Sequence, residues 1–181
     1  RVTQHRLREK RFLSENGFPV AGFAEINSLT DLEQAAATLG IPAVLKTASF
    51  GYDGKGQQKV MPGDSLAAVF ANLGGAQGIY EAFVDFEKEV SVVAARNVDG
   101  EFAAFPVFEN SHANHILDVT FAPAAIPSNM AAEAGKIAGA IFDRLGVVGV
   151  MAVEMFVTWD GELVVNELAP RTHNSGHLTI D

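Results

Sequence analysis

Two glutamates set in otherwise apolar strands constrain this chain more than any other feature. Asp160-Gly161 is a strong two-residue turn signal, and residues 147–158 and 162–168 on either side read as strands. With those two residues as the turn, Trp159 pairs with Glu162, Val157 faces Val164, and Glu154 faces Glu167. Directly opposed residues of an antiparallel pair hold their Cβ atoms ~5 Å apart, and like charges placed so are destabilising. The flanking residues Val147-Val148-Gly149-Val150-Met151 and Leu163-Val164-Val165 are apolar, so water screens the pair poorly. A divalent cation resolves the repulsion, and magnesium suits it: that ion takes oxygen ligands, often one or two carboxylates plus substrate phosphates. The other solutions are a lysine or arginine against one glutamate, or a place at an exposed edge.

A second feature asks for an anion. Gly51-Tyr52-Asp53-Gly54-Lys55-Gly56-Gln57 puts three glycines and a lysine into seven residues. Backbone N–H groups in such turns cradle phosphate oxygens. A tight hairpin that needs glycine only for its positive φ is the competing reading. The loop is no Walker motif, because Gln57 and Gln58 follow Gly56 where Lys and Ser/Thr belong. It is no dinucleotide fingerprint either, since Asp53 stands at the second glycine position. Residues 42–46 and 57–61 read as strands, which sets the glycines between two strands as a mobile loop. Lys46 ends the first of these strands, and burying its ammonium demands an anionic partner. Phosphates of ATP are one such partner; a rim position on an exposed loop is the other.

Composition excludes several classes. A net charge of −9 argues against a general nucleic-acid binder. With no cysteine there is neither a disulfide nor a thiolate zinc site, as fits a reducing, cytoplasmic setting. No stretch reaches the ~20 apolar residues of a membrane span, so no membrane partner is expected. Residues 3–16 read as a helix capped by Thr3 and ended by Gly17, with Leu7, Phe12 and Leu13 buried. Residues 28–39 are a helix closed by Gly40, residues 64–72 another, and 128–145 a long amphipathic one closed by Gly146. Residues 79–84, 87–97 and 101–108 read as strands, with Asp99-Gly100 as a hairpin turn. The order predicts an α+β or mixed α/β fold, cut into lobes 1–78 and 79–181. The termini predict a piece of a longer enzyme.

Further residues carry candidate chemistry. The backbone of Glu81-Ala82-Phe83-Val84 suits an adenine edge and Glu89 suits ribose hydroxyls, or these are exposed glutamates of an ordinary strand. Arg171 offers a fork of donors for a carboxylate or bicarbonate, with His173 and Asn174 adding donors. His173 and His177 have the spacing of zinc ligands on a helix, but Pro170, Asn174, Ser175 and Gly176 disfavour a helix there. His112 and His115 are expected in a polar, solvated loop.

Taken together, these pieces resemble the ATP-grasp domain of the N5-carboxyaminoimidazole ribonucleotide synthetases, the biotin-independent carboxylases of purine synthesis. The resemblance runs through Arg6-Leu7, Glu9-Lys10, Lys46 and Gly51 to Gln57. It continues through Glu81 to Val84, Glu87 to Ser91 and Gly149 to Glu154, ending in Asn166-Glu167-Leu168-Ala169-Pro170-Arg171 and His173-Asn174-Ser175-Gly176-His177. It implies a two-lobed ATP-grasp fold with ATP and Mg2+ bound. It also implies bicarbonate and 5-aminoimidazole ribonucleotide as small-molecule partners, and a homodimer in the full-length enzyme. By that resemblance Arg6, Lys46, Gly51, Gly54, Lys55, Gly56 and Gln57 contact ATP phosphates, while Tyr52 and Asp53 meet the ribonucleotide. Glu81, Ala82, Phe83 and Val84 hold adenine, Glu89 the ribose, and His112 lies near the nucleotide. Glu154 and Glu167 bind magnesium with Asn166 assisting, and Arg171, His173 and Asn174 hold bicarbonate. Strand alternation puts Asn166 on the face opposite Glu167, so its role requires a local distortion. Another ATP-grasp ligase and a non-catalytic nucleotide-binding fragment remain the alternatives.

Overall fold

The structure, a computed structural model, describes residues 2–49, 56–113 and 116–179. They divide into two units, Arg1–Phe12 with Ala21–Val84, and Leu13–Val20 with Asp85–Asp181.

The first unit is built on an antiparallel sheet of β1 (Phe23–Ile26), β2 (Ala43–Thr47), β3 (Gln57–Val60) and β4 (Gly78–Ala82), in the order β1-β4-β2-β3. Pairing of β4 with both β1 and β2 assigns residues 78–82 to this unit. Helix α2 (Leu29–Leu39) begins on a reciprocal cap: Ser28 Oγ accepts from Asp31 N, and Asp31 Oδ2 accepts from Ser28 N. Its Leu32, Ala35 and Ala36 meet Ile26, Leu45, Val60 and Tyr80 on one face of the sheet, with α3 (Leu66–Ala71) adding Val69. Along β4, Tyr80 joins that cluster while Ile79 joins Leu7 and Ala48 in a separate one. Helix α1 (Arg6–Glu15) supplies Leu7. It starts at Arg6, not Thr3. Arg6 N donates to Ala48 O, just past the end of β2, at 2.9 Å, so this first-turn donor is satisfied and no Thr3 cap is required.

In the second unit the chain leaves α1 through Gly17 (φ 77°), with Gly17 N bonded to Ser14 O and Phe18 N to Leu13 O. The sheet contains β5 (Phe86–Arg96), β6 (Phe102–Ala104), β7 (Phe108–Ala113), β8 (Ile116–Phe121), β9 (Gly149–Thr158) and β10 (Leu163–Ala169). Its order is β10-β9-β5-β7-β8, with β6 also on β5. Helix α4 (Ser128–Leu145) buries Ala134, Ala138, Ile141 and Phe142 and ends at Gly146 in the left-handed region. Arg96 closes it, donating to Phe142 O at 2.8 Å and Val147 O at 2.7 Å. No described helix is long and apolar enough to cross a membrane.

Two expectations fail here. The single strand expected over 101–108 is split, because Phe105-Pro106-Val107 separates β6 from β7 and proline has no N–H for the ladder. The expected polar loop holding His112 is instead strand β7, paired with β8. The alternation of apolar and polar residues in Ile116-Leu117-Asp118-Val119-Thr120-Phe121 carried that signal.

Candidate functional site

In the first unit a carboxylate and two ammonium groups converge. Val44 is the cross-strand partner of Glu81, and Lys46, two residues on, shares its face. Lys46 Nζ lies 3.2 Å from Glu81 Oε2, and Lys10 Nζ from α1 lies 3.3 Å from the same oxygen. Glu81 and Lys10 are buried, 5% and 3% exposed. Burial acts to raise the Glu81 carboxyl, but Lys10 and Lys46 outweigh it and hold its pKa below the ordinary value. Lys10 is also pushed down: burial dominates, Lys46 adds to it, and Glu81 and Glu9 oppose it. The carboxylate therefore gains more from pairing than it loses, while Lys10 does not. Glu81 Oε1 has no hydrogen-bond partner among the described residues. The reading of Glu81 as an exposed strand glutamate is thus excluded.

Other residues of this unit are committed in part. Arg6 Nη1 donates to Thr47 O at 2.8 Å. The N–H groups of Ala82 and Phe83 donate to Gly22 O and Pro42 O. The Phe83 ring lies 5.0 Å from Lys59 Nζ. Gly51, Tyr52, Asp53, Gly54 and Lys55 lie outside the described residues. Gly56 has φ 70°, and a Cβ there would stand 2.6 Å from Thr47 Oγ1. Gln57 pairs with Lys46 across β2 and β3.

In the second unit one sheet face collects the polar side chains. The registers Ser91 with Glu154, Glu89 with Asn110, and Glu154 with Glu167 put all five on the same side. The opposed glutamates occur as expected, but by a different route. The turn is the three-residue loop Trp159-Asp160-Gly161, with Thr158 N bonded to Glu162 O and Gly161 at φ 79°. Val157 therefore faces Leu163 and not Val164, one residue out of the expected register. An irregularity between Val165 and Glu167 restores the pairing of Glu154 with Glu167. The extra residue is Asn166, at the local distortion its assignment required; such bulges re-aim side chains.

Glu154 accepts from His173 Nε2 at 2.6 Å. Beyond the histidine runs a buried chain: His173 Nδ1 meets Ser175 Oγ at 2.8 Å, and Ser91 Oγ donates to Ser175 Oγ at 2.9 Å. Asn110 Nδ2 donates to Ser91 Oγ at 3.0 Å. His112 is ion-paired with Glu89 and lines a cavity of about 510 Å³ with Phe86, Glu89 and Asn110. The Glu89 hydrogen bond raises the His112 pKa above the ordinary 6.5, burial opposes it, and the charges of Glu89 and Glu154 add to the rise. Arg171 and Asn174 are exposed, with Arg171 Nη1 bonded to Thr172 O. The histidine run forms a 3-10 turn, Asn174–Thr179, so His173 and His177 do not stack as helical zinc ligands.

The donor set fits magnesium in one mode. Among the described residues no three His, Asp or Glu side chains form a metal cage. A pair of opposed carboxylates fits an ion that completes its shell with phosphate oxygens and water. Lys10, Ser91 and Ser175 entered the sequence reading only as members of the runs that carry the resemblance, with no role of their own, and Asn110 did not enter it.

Each of the two units is thus an antiparallel sheet with helices, and the opposed glutamate pair stands on the second sheet. Residues 11–181 match the family model described as the ATP-grasp domain, and the chain belongs to that family. It is 43% identical over 180 residues to the N5-carboxyaminoimidazole ribonucleotide synthase of Bacillus subtilis (strain 168), covering 99% of this chain and 47% of that protein. An ADP complex of an N5-carboxyaminoimidazole ribonucleotide synthetase superposes with TM-score 0.95 at 44% identity, covering 99% of this chain and 48% of that one. The Aspergillus clavatus synthase in complex with ADP and 5-aminoimidazole ribonucleotide gives 0.90 at 27%, covering 99% and 47%. The chain spans about half the length of the curated relatives it matches.

Proposed function

We propose that a protein carrying this chain uses ATP and bicarbonate to carboxylate the exocyclic amine of 5-aminoimidazole ribonucleotide. The observation that carries this reading is the Glu154–Glu167 pair with His173 already on Glu154, Glu167 and His173 both coming from the Asn-Glu-Leu-Ala-Pro-Arg and His-Asn-Ser-Gly-His run that marks the resemblance. A bicarbonate oxygen attacks the γ-phosphorus, ADP leaves, and carboxyphosphate forms. The amine then takes the carboxyl carbon and phosphate departs. Lys46, Arg6 and the glycine loop from Gly51 to Gln57 neutralise the phosphates, with Tyr52 and Asp53 meeting the ribonucleotide. Glu81 to Val84 receive adenine; Glu89 takes the ribose, with His112 beside it. Glu154 and Glu167, with Asn166 between the strands' registers, suit Mg2+, which when bound offsets the charge developing on the transferred phosphoryl group. Arg171, His173 and Asn174 donate to the bicarbonate oxygens, using hydrogen bonds to an anion that are about twice as strong as neutral ones.

The test is ADP release by the full-length protein with bicarbonate and aminoimidazole ribonucleotide each omitted in turn. Release is expected to need both. Release that depends instead on another carboxylate would assign a different ATP-grasp ligase. Glu167→Gln is expected to abolish magnesium-dependent turnover with an unchanged circular dichroism spectrum; normal turnover in that variant removes the metal assignment.

A further inference from the structure

We propose that Ser175, backed by Ser91 and Asn110, is a positioning residue that fixes His173 as the tautomer carrying its proton on Nε2. Two groups, one on each nitrogen of the His173 ring, cannot reverse their roles. A carboxylate only accepts, so the 2.6 Å contact between His173 Nε2 and Glu154 Oε1 requires the proton on Nε2. A backbone N–H only donates, and Ser175 N points at His173 Nδ1 from 3.3 Å. Nδ1 must therefore be a bare acceptor. The hydroxyls beyond Nδ1 follow one direction. Ser175 Oγ accepts the Ser91 proton at 2.9 Å, so its own single proton is free to complete the 2.8 Å contact with Nδ1. Ser91 Oγ in turn accepts from Asn110 Nδ2 at 3.0 Å, and Asn110 Oδ1 accepts from Thr120 Oγ1 at 3.2 Å. Every donor from Thr120 to Glu154 points the same way.

Burial makes this arrangement stiff. Ser91 and Ser175 are 0% exposed and Asn110 is 6% exposed, so water does not replace a missing partner. The consequence is a donor aimed at Glu154 and, on the reading of His173 given above, at any anion oxygen that takes the carboxylate's place. The other tautomer would present a lone pair to that anion. The catalytic consequence rests on that reading; the tautomer does not.

The experiment uses the full-length protein with its histidine rings labelled with nitrogen-15. Long-range proton–nitrogen spectra are recorded at a pH above the histidine titration range, and His173 is assigned by the signals lost in His173→Gln. Wild-type protein is expected to show Nδ1 unprotonated and Nε2 protonated. Ser175→Ala is expected to lower the tautomer ratio roughly tenfold, the loss of one buried hydrogen bond. Ser175→Thr, which keeps the hydroxyl, is expected to restore it. Ser175→Ala should also raise KM for bicarbonate while leaving KM for ATP unchanged. A wild-type His173 protonated on Nδ1, or a Ser175→Ala ratio equal to wild type, overturns the proposal, and the wild-type spectrum decides even if the variant does not fold. Turnover that does not depend on bicarbonate would defeat the proposed function while leaving the tautomer result standing.

Discussion

Replacing Glu81 by glutamine keeps the volume of the side chain and removes the one carboxylate that faces both Lys10 and Lys46. Lys46 is 15% exposed and retains some water, whereas Lys10 at 3% does not. Breaking a buried pair by deleting one partner costs about 3–5 kcal/mol. Lys10 also has an escape, since it can give up its proton. The ordinary lysine value is 10.5, so neutralising Lys10 at pH 7 caps the loss at about 5 kcal/mol, taking about 1.4 kcal/mol per pH unit. At about pH 9 the same cap is only about 2 kcal/mol. The sign follows from proton binding: where the folded variant gives up the Lys10 proton against the pull of Glu9 and the unfolded one keeps it, stability rises with pH. Urea denaturation followed by circular dichroism should show Glu81→Gln gaining about 1.4 kcal/mol per pH unit between about pH 7 and pH 9. Adding Lys10→Met should abolish that slope and recover much of the loss, as apolar replacements of buried ion pairs often do. A loss below about 1 kcal/mol, or a slope that survives in the double variant, would refute the reasoning.

Two further predictions concern the second unit. Arg96→Met is expected to cost about 2–4 kcal/mol, because it strips charged donors from the end of α4, while Asp143→Ala costs under about 1 kcal/mol since that carboxylate is 75% exposed; equal losses in urea titrations would show that the surface ion pair carries the effect. His112 faces Glu89 and Glu154, and its pKa is raised above 6.5, so the stability it adds is fully present below the unfolded value and fades as pH rises through the folded one. The stability difference between wild type and His112→Gln should therefore shrink from about pH 6 to pH 8, and a difference constant across that window would exclude the pair's contribution.

Local patterns made much of the fold legible. Gly40 and Gly146 marked helix ends through groups that act within a few residues, and the C-terminal bounds of α2 and α4 were read correctly for that reason. Glu154 and Glu167 were read as opposed from a single hairpin, yet the register on which the reading stood was wrong by one. The extra residue of the Trp159-Asp160-Gly161 turn shifts the strands, and the bulge at Asn166 shifts them back. Neither offset has a signature in alternation alone, and they happen to cancel at the one position that mattered.

The residues that sequence reasoning passed over share a different property, their distance along the chain. Ser91 and Ser175 are separated by 84 positions, and Ser91 and Asn110 by 19. Each is an unremarkable residue in its own segment, and a serine in a strand predicts nothing. It is sheet registry that gives them meaning, because Ser91 stands across from Glu154 and so beneath the histidine that Glu154 holds. The same logic explains why buried charge is tolerated at Lys10 and Glu81, where Glu9 is buried as well. A polar group survives in such a place only when its partners are all supplied, and Glu81 Oε1 is the oxygen for which the described residues supply none. On the proposed function this unpaired acceptor sits on the strand assigned to adenine, where an exocyclic amine would satisfy it.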